Sequence, residues 1–230
     1  MTADAEKPGE GAQAPLPAHL LDGYRAFVAG RLRDEQARYR DLAEKGQNPR
    51  VMLIGCCDSR AAPETVFGAG PGELFVVRNV ANIVPTYGPD ANQHGTSAAL
   101  EFAVMALRVE HVVVMGHARC GGVRAFAESL ADPYARPLSA GDFIGSWIAS
   151  IKPAADRIGA PAGDLADYVE RLGRENVRQS LANLRTFPWV AELERRGILK
   201  LHGAYFGIAD GRLETLEDAS GAFVPVRVAY

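Results

Sequence analysis

Short apolar runs alternate with longer amphipathic stretches along this chain, and the alternation sets the expected fold. Val51 to Ile54, Glu73 to Val80, Val112 to Met115 and Ile198 to Phe206 are apolar runs of strand length. Between them lie stretches of helical period. Ala98, Ala99, Phe102, Ala103 and Leu107 predict one buried helix face, with Thr96 or Ser97 as the cap. Gly121-Gly122 leads into another helix, and Pro63 to Phe67 reads as a short one, since proline suits a first turn. Leu165, Val169, Leu172, Val177, Leu181 and Leu184 mark a long amphipathic helix, and Pro188 and Gly197 bracket the next. Strand and helix in alternation predict an α/β fold, a mostly parallel four-stranded sheet flanked by helices. Asp210-Gly211 is a hairpin signal, so Arg212 to Leu216 is expected as an antiparallel fifth strand at the sheet edge.

Upstream of the first strand, Leu20, Leu21, Tyr24, Phe27, Val28, Leu32 and Tyr39 form an apolar stripe that predicts an N-terminal helical arm over His19 to Lys45. Gly46, Asn48 and Pro49 end it. Residues 1–18 are rich in Ala, Pro, Gly and acidic side chains, with no basic start and no apolar core, and are expected to be a disordered tail rather than a signal peptide. Residues 19–230 then form a single domain, with neither repeats nor a linker. The Pro- and Gly-rich stretch 131–163 is expected to hold one helical piece, around Phe143 to Ile151. Trp147 and Trp189 sit in apolar helical contexts and read as core.

Charge narrows the function classes. With 25 Lys+Arg against 28 Asp+Glu there is no footprint for nucleic acid or for an anionic membrane surface. The apolar runs fall short of the roughly 20 residues that span a bilayer. Three cysteines are an odd number, which disfavours a secreted disulfide framework and points to a reducing, cytoplasmic compartment.

The candidate chemistry gathers behind two strands. Cys56-Cys57-Asp58-Ser59-Arg60 follows the first, and His117-Ala118-Arg119-Cys120-Gly121-Gly122 follows the third. Ligands of open parallel sheets bind beyond the carboxyl ends of strands, so the two segments read as halves of one metal site. Cys56, His117 and Cys120 offer two thiolates and an imidazole, a donor set that suits zinc and leaves a fourth position for water. His-x-x-Cys alone is a weak signal, and a lone buried Cys is more often a small core residue. The conjunction at two strand ends carries the weight. Asp58 and Arg60, two residues apart, would point the same way from an extended segment.

These segments resemble the Cys-x-Asp-Ser-Arg and His-x-x-Cys-Gly motifs of the β-class carbonic anhydrases, in their plant-like branch. The likeness continues through Phe75 to Asn82, Gly95 to Glu101, Asn183 to Pro188 and His202 to Tyr205, and covers roughly Gln47 to Leu213. The resemblance implies Zn²⁺ on Cys56, His117 and Cys120, with Cys57 free. It implies reversible hydration of carbon dioxide to bicarbonate and a proton by zinc-bound hydroxide. Asp58 would orient that hydroxide while Arg60 holds the carboxylate off the metal, and Asp58 would become a fourth ligand only in a closed state. Gln47, Phe75, Phe102 and Gly121 match substrate-pocket positions, although Phe102 stands where that branch has Tyr, so a phenol hydroxyl is missing. A homodimer or higher homo-oligomer follows, with the N-terminal arm wrapping its neighbour. In one branch bicarbonate closes the site from a pocket of Trp, Val and Tyr; here those places hold Leu53, Ala61 and Phe102, so no such closure is expected. His94, His111 and His202 are the candidate proton shuttles, and none is singled out by sequence. Hydrolysis of carbon disulfide or carbonyl sulfide on the same scaffold, or a thiol redox sensor built on Cys56 and Cys57, are the alternatives.

Overall fold

The apolar runs become the strands of one six-stranded sheet in the computed structural model, which describes residues 16–90, 92–132, 134 and 136–228. The chain forms two compact units, the first ending at Gln47 and the second beginning at Asn48. In the first unit the stripe is not one helix but three: α1 (Ala18–Ala29), α2 (Arg31–Asp34) and α3 (Gln36–Lys45). The breaks fall at Gly30, whose backbone leaves the helical region at φ −110° and ψ −97°, and at Glu35. Without a Cβ, Gly30 has little preference for the helical basin. The Phe27 and Tyr39 rings meet edge to face at 5.8 Å and tie α1 to α3, while Leu20, Tyr24 and Val28 stay exposed.

The second unit runs β1 (Val51–Cys56), α4 (Pro63–Val66), β2 (Leu74–Asn79), α5 (Gly95–Glu101), β3 (His111–His117), α6 (Gly121–Ala131), α7 (Phe143–Ile148), α8 (Lys152–Ile158), α9 (Leu165–Leu184), α10 (Pro188–Arg195), β4 (Lys200–Phe206), β5 (Leu213–Leu216) and β6 (Phe223–Pro225). The sheet order is β2-β1-β3-β4-β5-β6. The first four strands are parallel, and β5 and β6 add antiparallel pairs. The sixth strand goes beyond the expectation; three residues ending in Pro225 carry too little periodicity to read as a strand. The hairpin at Asp210-Gly211 forms as expected, with Gly211 left-handed at φ 68° and the Asp210 Oδ1 accepting from Arg212 N at 3.1 Å.

Chain direction matters more than strand count. From β1 the chain moves outward to β2 and then crosses back to β3 on the other side of β1. The order therefore reverses between β1 and β3, and the crevice of a doubly wound sheet opens at their carboxyl ends. Cys56 closes β1 and His117 closes β3.

Met52, Ile54, Val112 and Val114 point into one core together with Val177, Leu181 and Leu184 of α9. Leu53 and Met115 join a smaller cluster, as strand alternation requires. Helix α9 lies close on β3 and β4 because glycine stands where a side chain would collide. A Cβ on Gly116 would come within 2.8 Å of Val177 Cγ2 and 3.1 Å of the Tyr205 ring.

Three local expectations are corrected. Helix α5 starts at Gly95 with His94 at its cap position, and neither Thr96 nor Ser97 caps it; Thr96 Oγ1 instead accepts from Asn79 Nδ2 at 3.2 Å. The buried face there is Thr96, Leu100, Ala103 and Val104, whereas Ala98 and Phe102 are exposed, and the backbone widens into a π-helical turn over Phe102–Ala106. The helical piece after Phe143 continues through α8, where Pro153 sits in the first turn and needs no hydrogen-bonding N–H. Trp147 and Trp189 are both half-buried against the core. Among the described residues no helix is long and apolar enough to cross a membrane.

Candidate metal centre

The two strand ends bring Cys56, His117 and Cys120 together, with their donor atoms all within 4.8 Å of one another. Each of the three is at most 5% exposed. The Cys56 and Cys120 sulfurs are 3.8 Å apart. Hydrogen bonding with Cys120 pushes the Cys56 thiol down against its burial, and the same contact, with burial, pushes Cys120 up. Two thiolates this close would repel each other, and a cation between them would offset that repulsion.

His117 supplies the clearest sign that a cation belongs here. Its Nδ1 lies 2.9 Å from the Ala118 carbonyl, which can only accept, so Nδ1 carries the proton. Nε2 is then a bare lone pair, buried and without a hydrogen-bond partner, turned into the same space as the two thiols. A buried acceptor left unpaired is costly. Two sulfurs and one imidazole nitrogen, all buried, fit a borderline-soft divalent ion with one coordination place left open.

A turn, not an extended segment, aligns Asp58 with Arg60. Asp58 O accepts from Ala61 N at 3.0 Å, and Asp58 Oδ1 accepts from Arg60 N at 3.0 Å and from Arg60 Nε at 2.9 Å. Asp58 Oδ2 accepts from Arg60 Nη2 at 2.7 Å and lies 3.8 Å from His117 Nε2. The guanidinium holds this carboxyl well below the usual carboxylate range. Arg78 fixes the segment from behind, donating through Nε to Cys56 O at 2.8 Å and through Nη2 to Asp58 O at 2.7 Å.

The remaining expected residues are placed less tightly. The Phe75 and Phe102 rings pack against each other at 5.9 Å, with Phe102 half exposed. Gly121 opens α6 with free space around its Cα, while its neighbour Gly122 is the packed one, where a Cβ would meet Val80 Cγ1 at 2.5 Å. Gln47 is exposed at the last position of the first unit. Cys57 is exposed and free. His111 and His202 bond to each other at 3.0 Å, and His111 begins the strand that His117 ends, about 20 Å away at strand rise. That pair is at the wrong end of the sheet to pass protons. His94 is bonded to Asp90 at 2.7 Å.

Sequence reasoning missed the residues that brace the centre. Arg119, between the two downstream ligands, is left-handed at φ 54°, and its N–H donates to Glu170 Oε1 at 2.7 Å. Tyr205 O–H donates to Glu170 Oε2 at 3.1 Å, and burial pushes that phenol up, so it stays protonated. Glu170, Asn176, Ser180 and Asn183 all project from α9, and the last three are polar positions inside its buried stripe. That interruption of an apolar face was the available signal. A cleft of about 400 Å³ is lined by Arg60, Ala118, Arg119, Glu170 and Tyr205, and one of about 440 Å³ by Arg119, Arg124 and Asp164; neither is lined by the three donors.

Fold and site together define an α/β domain with a buried Cys₂His metal centre at its switch point. The family described as carbonic anhydrase matches residues 51–213. The chain is 36% identical over 191 residues to the chloroplastic β carbonic anhydrase 5 of Arabidopsis thaliana, covering 82% of this chain and spanning 61% of that protein. It is 39% identical over 205 residues to a carbonic anhydrase of Pseudomonas aeruginosa, covering 89% of this chain and 90% of the relative. Among solved structures, one of two tetrameric β carbonic anhydrases of Sordaria macrospora matches with a TM-score of 0.72 at 30% identity, over 90% of this chain and 97% of the other. The chain belongs to the carbonic anhydrase family, in its β class.

Proposed function

We propose that this chain is a zinc lyase that interconverts carbon dioxide with bicarbonate and a proton. The observation that carries the reading is the bare, buried Nε2 of His117 facing two thiols at the switch point. Cys56, His117 and Cys120 would hold zinc, which supplies the Lewis acidity that makes hydroxide from water near neutral pH.

The chain's own part is orientation. Arg60 engages both oxygens of Asp58, keeping the carboxylate ionised and turned aside from the donor cluster. Asp58 Oδ2, 3.8 Å from His117 Nε2, would accept a hydrogen bond from the attacking oxygen and so turn its lone pair toward carbon. Arg78 fixes the backbone of this segment through the carbonyls of Cys56 and Asp58. Gly121 leaves room at the start of α6, whereas Phe75, paired with Met52 on β1, stands four residues back from the strand end that Cys56 forms, so the apolar wall it makes with Phe102 is offered to the site of a second copy. With Phe at 102 the wall has no phenol to relay a proton. Leu53 and Ala61 are each 1% exposed and apolar, so they give a second bicarbonate no donors, and Asp58 stays with Arg60 rather than becoming a fourth ligand.

Three free thiols suit a reducing compartment, in keeping with a cytoplasmic enzyme. Exposed Leu20, Tyr24 and Val28 in the first unit and exposed Phe102 and Met105 in the second support a homo-oligomer, and the Sordaria relative is tetrameric. The test is a paired assay on zinc-replete protein. Carbon dioxide hydration is expected to dominate over carbon disulfide hydrolysis; zinc-loaded protein without hydration activity contradicts the reading.

A further inference from the structure

The segment joining β2 to α5 turns sharply beside the metal centre. Ala81 and Asn82 are both left-handed, at φ 64° and φ 46°, and both are buried. For a residue with a Cβ this basin is disfavoured, and it persists only where the surroundings over-determine it. The turn sends the Ala81 N–H to the Cys56 sulfur, 3.4 Å away.

What over-determines the turn is a row of side-chain donors on its carbonyls. Trp147 Nε1 donates to Val80 O at 2.8 Å. Asn176 Nδ2 donates to Ala81 O at 2.8 Å, Ser180 Oγ to Asn82 O at 3.0 Å, and Asn183 Nδ2 to Val84 O at 2.7 Å. The last three stand one helical turn apart on α9 and are 1%, 1% and 7% exposed. Buried amides cost stability unless satisfied, and here the loop carbonyls satisfy them. Among these donors, Asn176 holds the carbonyl of Ala81, the residue whose N–H meets the sulfur, while Trp147 holds Val80 O, the carbonyl of that N–H's own peptide; Asn176 thus fixes Ala81 from the far side of its strained φ and ψ. A hydrogen bond onto a thiolate draws charge from it, and groups that orient a ligand tune the bound metal.

We propose that Asn176 is a positioning residue for the metal centre: by holding the Ala81 carbonyl it keeps Ala81 in its left-handed conformation, with the N–H on Cys56, and so sets how strongly that thiolate binds zinc. The proposal rests on Cys56 being a zinc ligand.

The test uses the full chain in zinc and cobalt(II) forms, with zinc affinity read by chelator competition and the sulfur-to-cobalt charge-transfer band read by absorbance. Asn176→Ala is expected to weaken zinc binding about 10-fold or more and to shift the band. Ser180→Ala, which removes the neighbouring clamp but not the one at residue 81, is expected to lower thermal stability while keeping the parent's affinity and band. Ala81→Gly relieves the left-handed strain, so Asn176→Ala added to Ala81→Gly is expected to cost less affinity than it does alone. Should Asn176→Ala yield no folded protein, Asn176→Gln displaces the same donor on a longer arm and is expected to shift the band likewise. Parent affinity and band in Asn176→Ala, or in the Gln variant that replaces it, would overturn the proposal. So would a Ser180→Ala variant that reproduces the change. A parent chain that binds no zinc, or a Cys56→Ser variant that binds it as before, sinks the metal-site reading instead.

Discussion

The Asp58 carboxylate is gripped by three nitrogens of one residue, the backbone N, Nε and Nη2 of Arg60. Its side chain is 15% exposed but that of Arg60 is half exposed, so solvent screens part of that grip. The folded pKa is depressed, chiefly by hydrogen bonding to Arg60. The sign follows from linkage: the stabilisation is fully present above the unfolded carboxylate value, about 3.9, and is lost as pH falls below it. Asp58→Asn is therefore expected to be less stable than the parent at pH 7, with the gap narrowing below about pH 4 in denaturant titrations; a gap constant down to pH 3 contradicts the assignment. The same variant is expected to keep its zinc and lose about 100-fold in hydration rate, because the attacking oxygen loses its orientation. Near-parent activity with zinc retained would remove Asp58 from the mechanism.

Among the elements, α9 does the most to position the centre, and glycine makes its approach possible. Gly116→Ala would drive a methyl into Val177 and the Tyr205 ring, so a loss of about 1–3 kcal/mol is expected by chemical denaturation. Gly121→Ala has open space and is expected to leave stability unchanged; equal losses in both would contradict this view of the packing. The four parallel strands and the metal donors were legible in sequence for one reason: apolar runs ending in Cys56 and His117 are continuous, local signals. The bracing was not legible. Asn176, Ser180 and Asn183 look like breaks in a helical stripe, and only the loop they satisfy, about 95 residues away in sequence, explains them. Strand β6 and the breaks at Gly30 and Glu35 escaped for the opposite reason, being too short to carry a period of their own.

At the scale of the whole molecule, the apolar side chains left on the surface call for a partner. Sedimentation is expected to give a dimer or a larger homo-oligomer at micromolar concentration, and a monomer would contradict the assembly proposed for Phe102, Met105 and the exposed face of α1. Everything else depends on one claim, that two distant strand ends make a single zinc site from Cys56, His117 and Cys120. X-ray absorption at the zinc edge of the purified protein tests it most directly. The account predicts two sulfurs at about 2.3 Å with one imidazole nitrogen and one oxygen or nitrogen at about 2.0–2.1 Å, unchanged in Cys57→Ala. Three sulfurs, or a zinc shell that loses a sulfur when Cys57 is replaced, would contradict it.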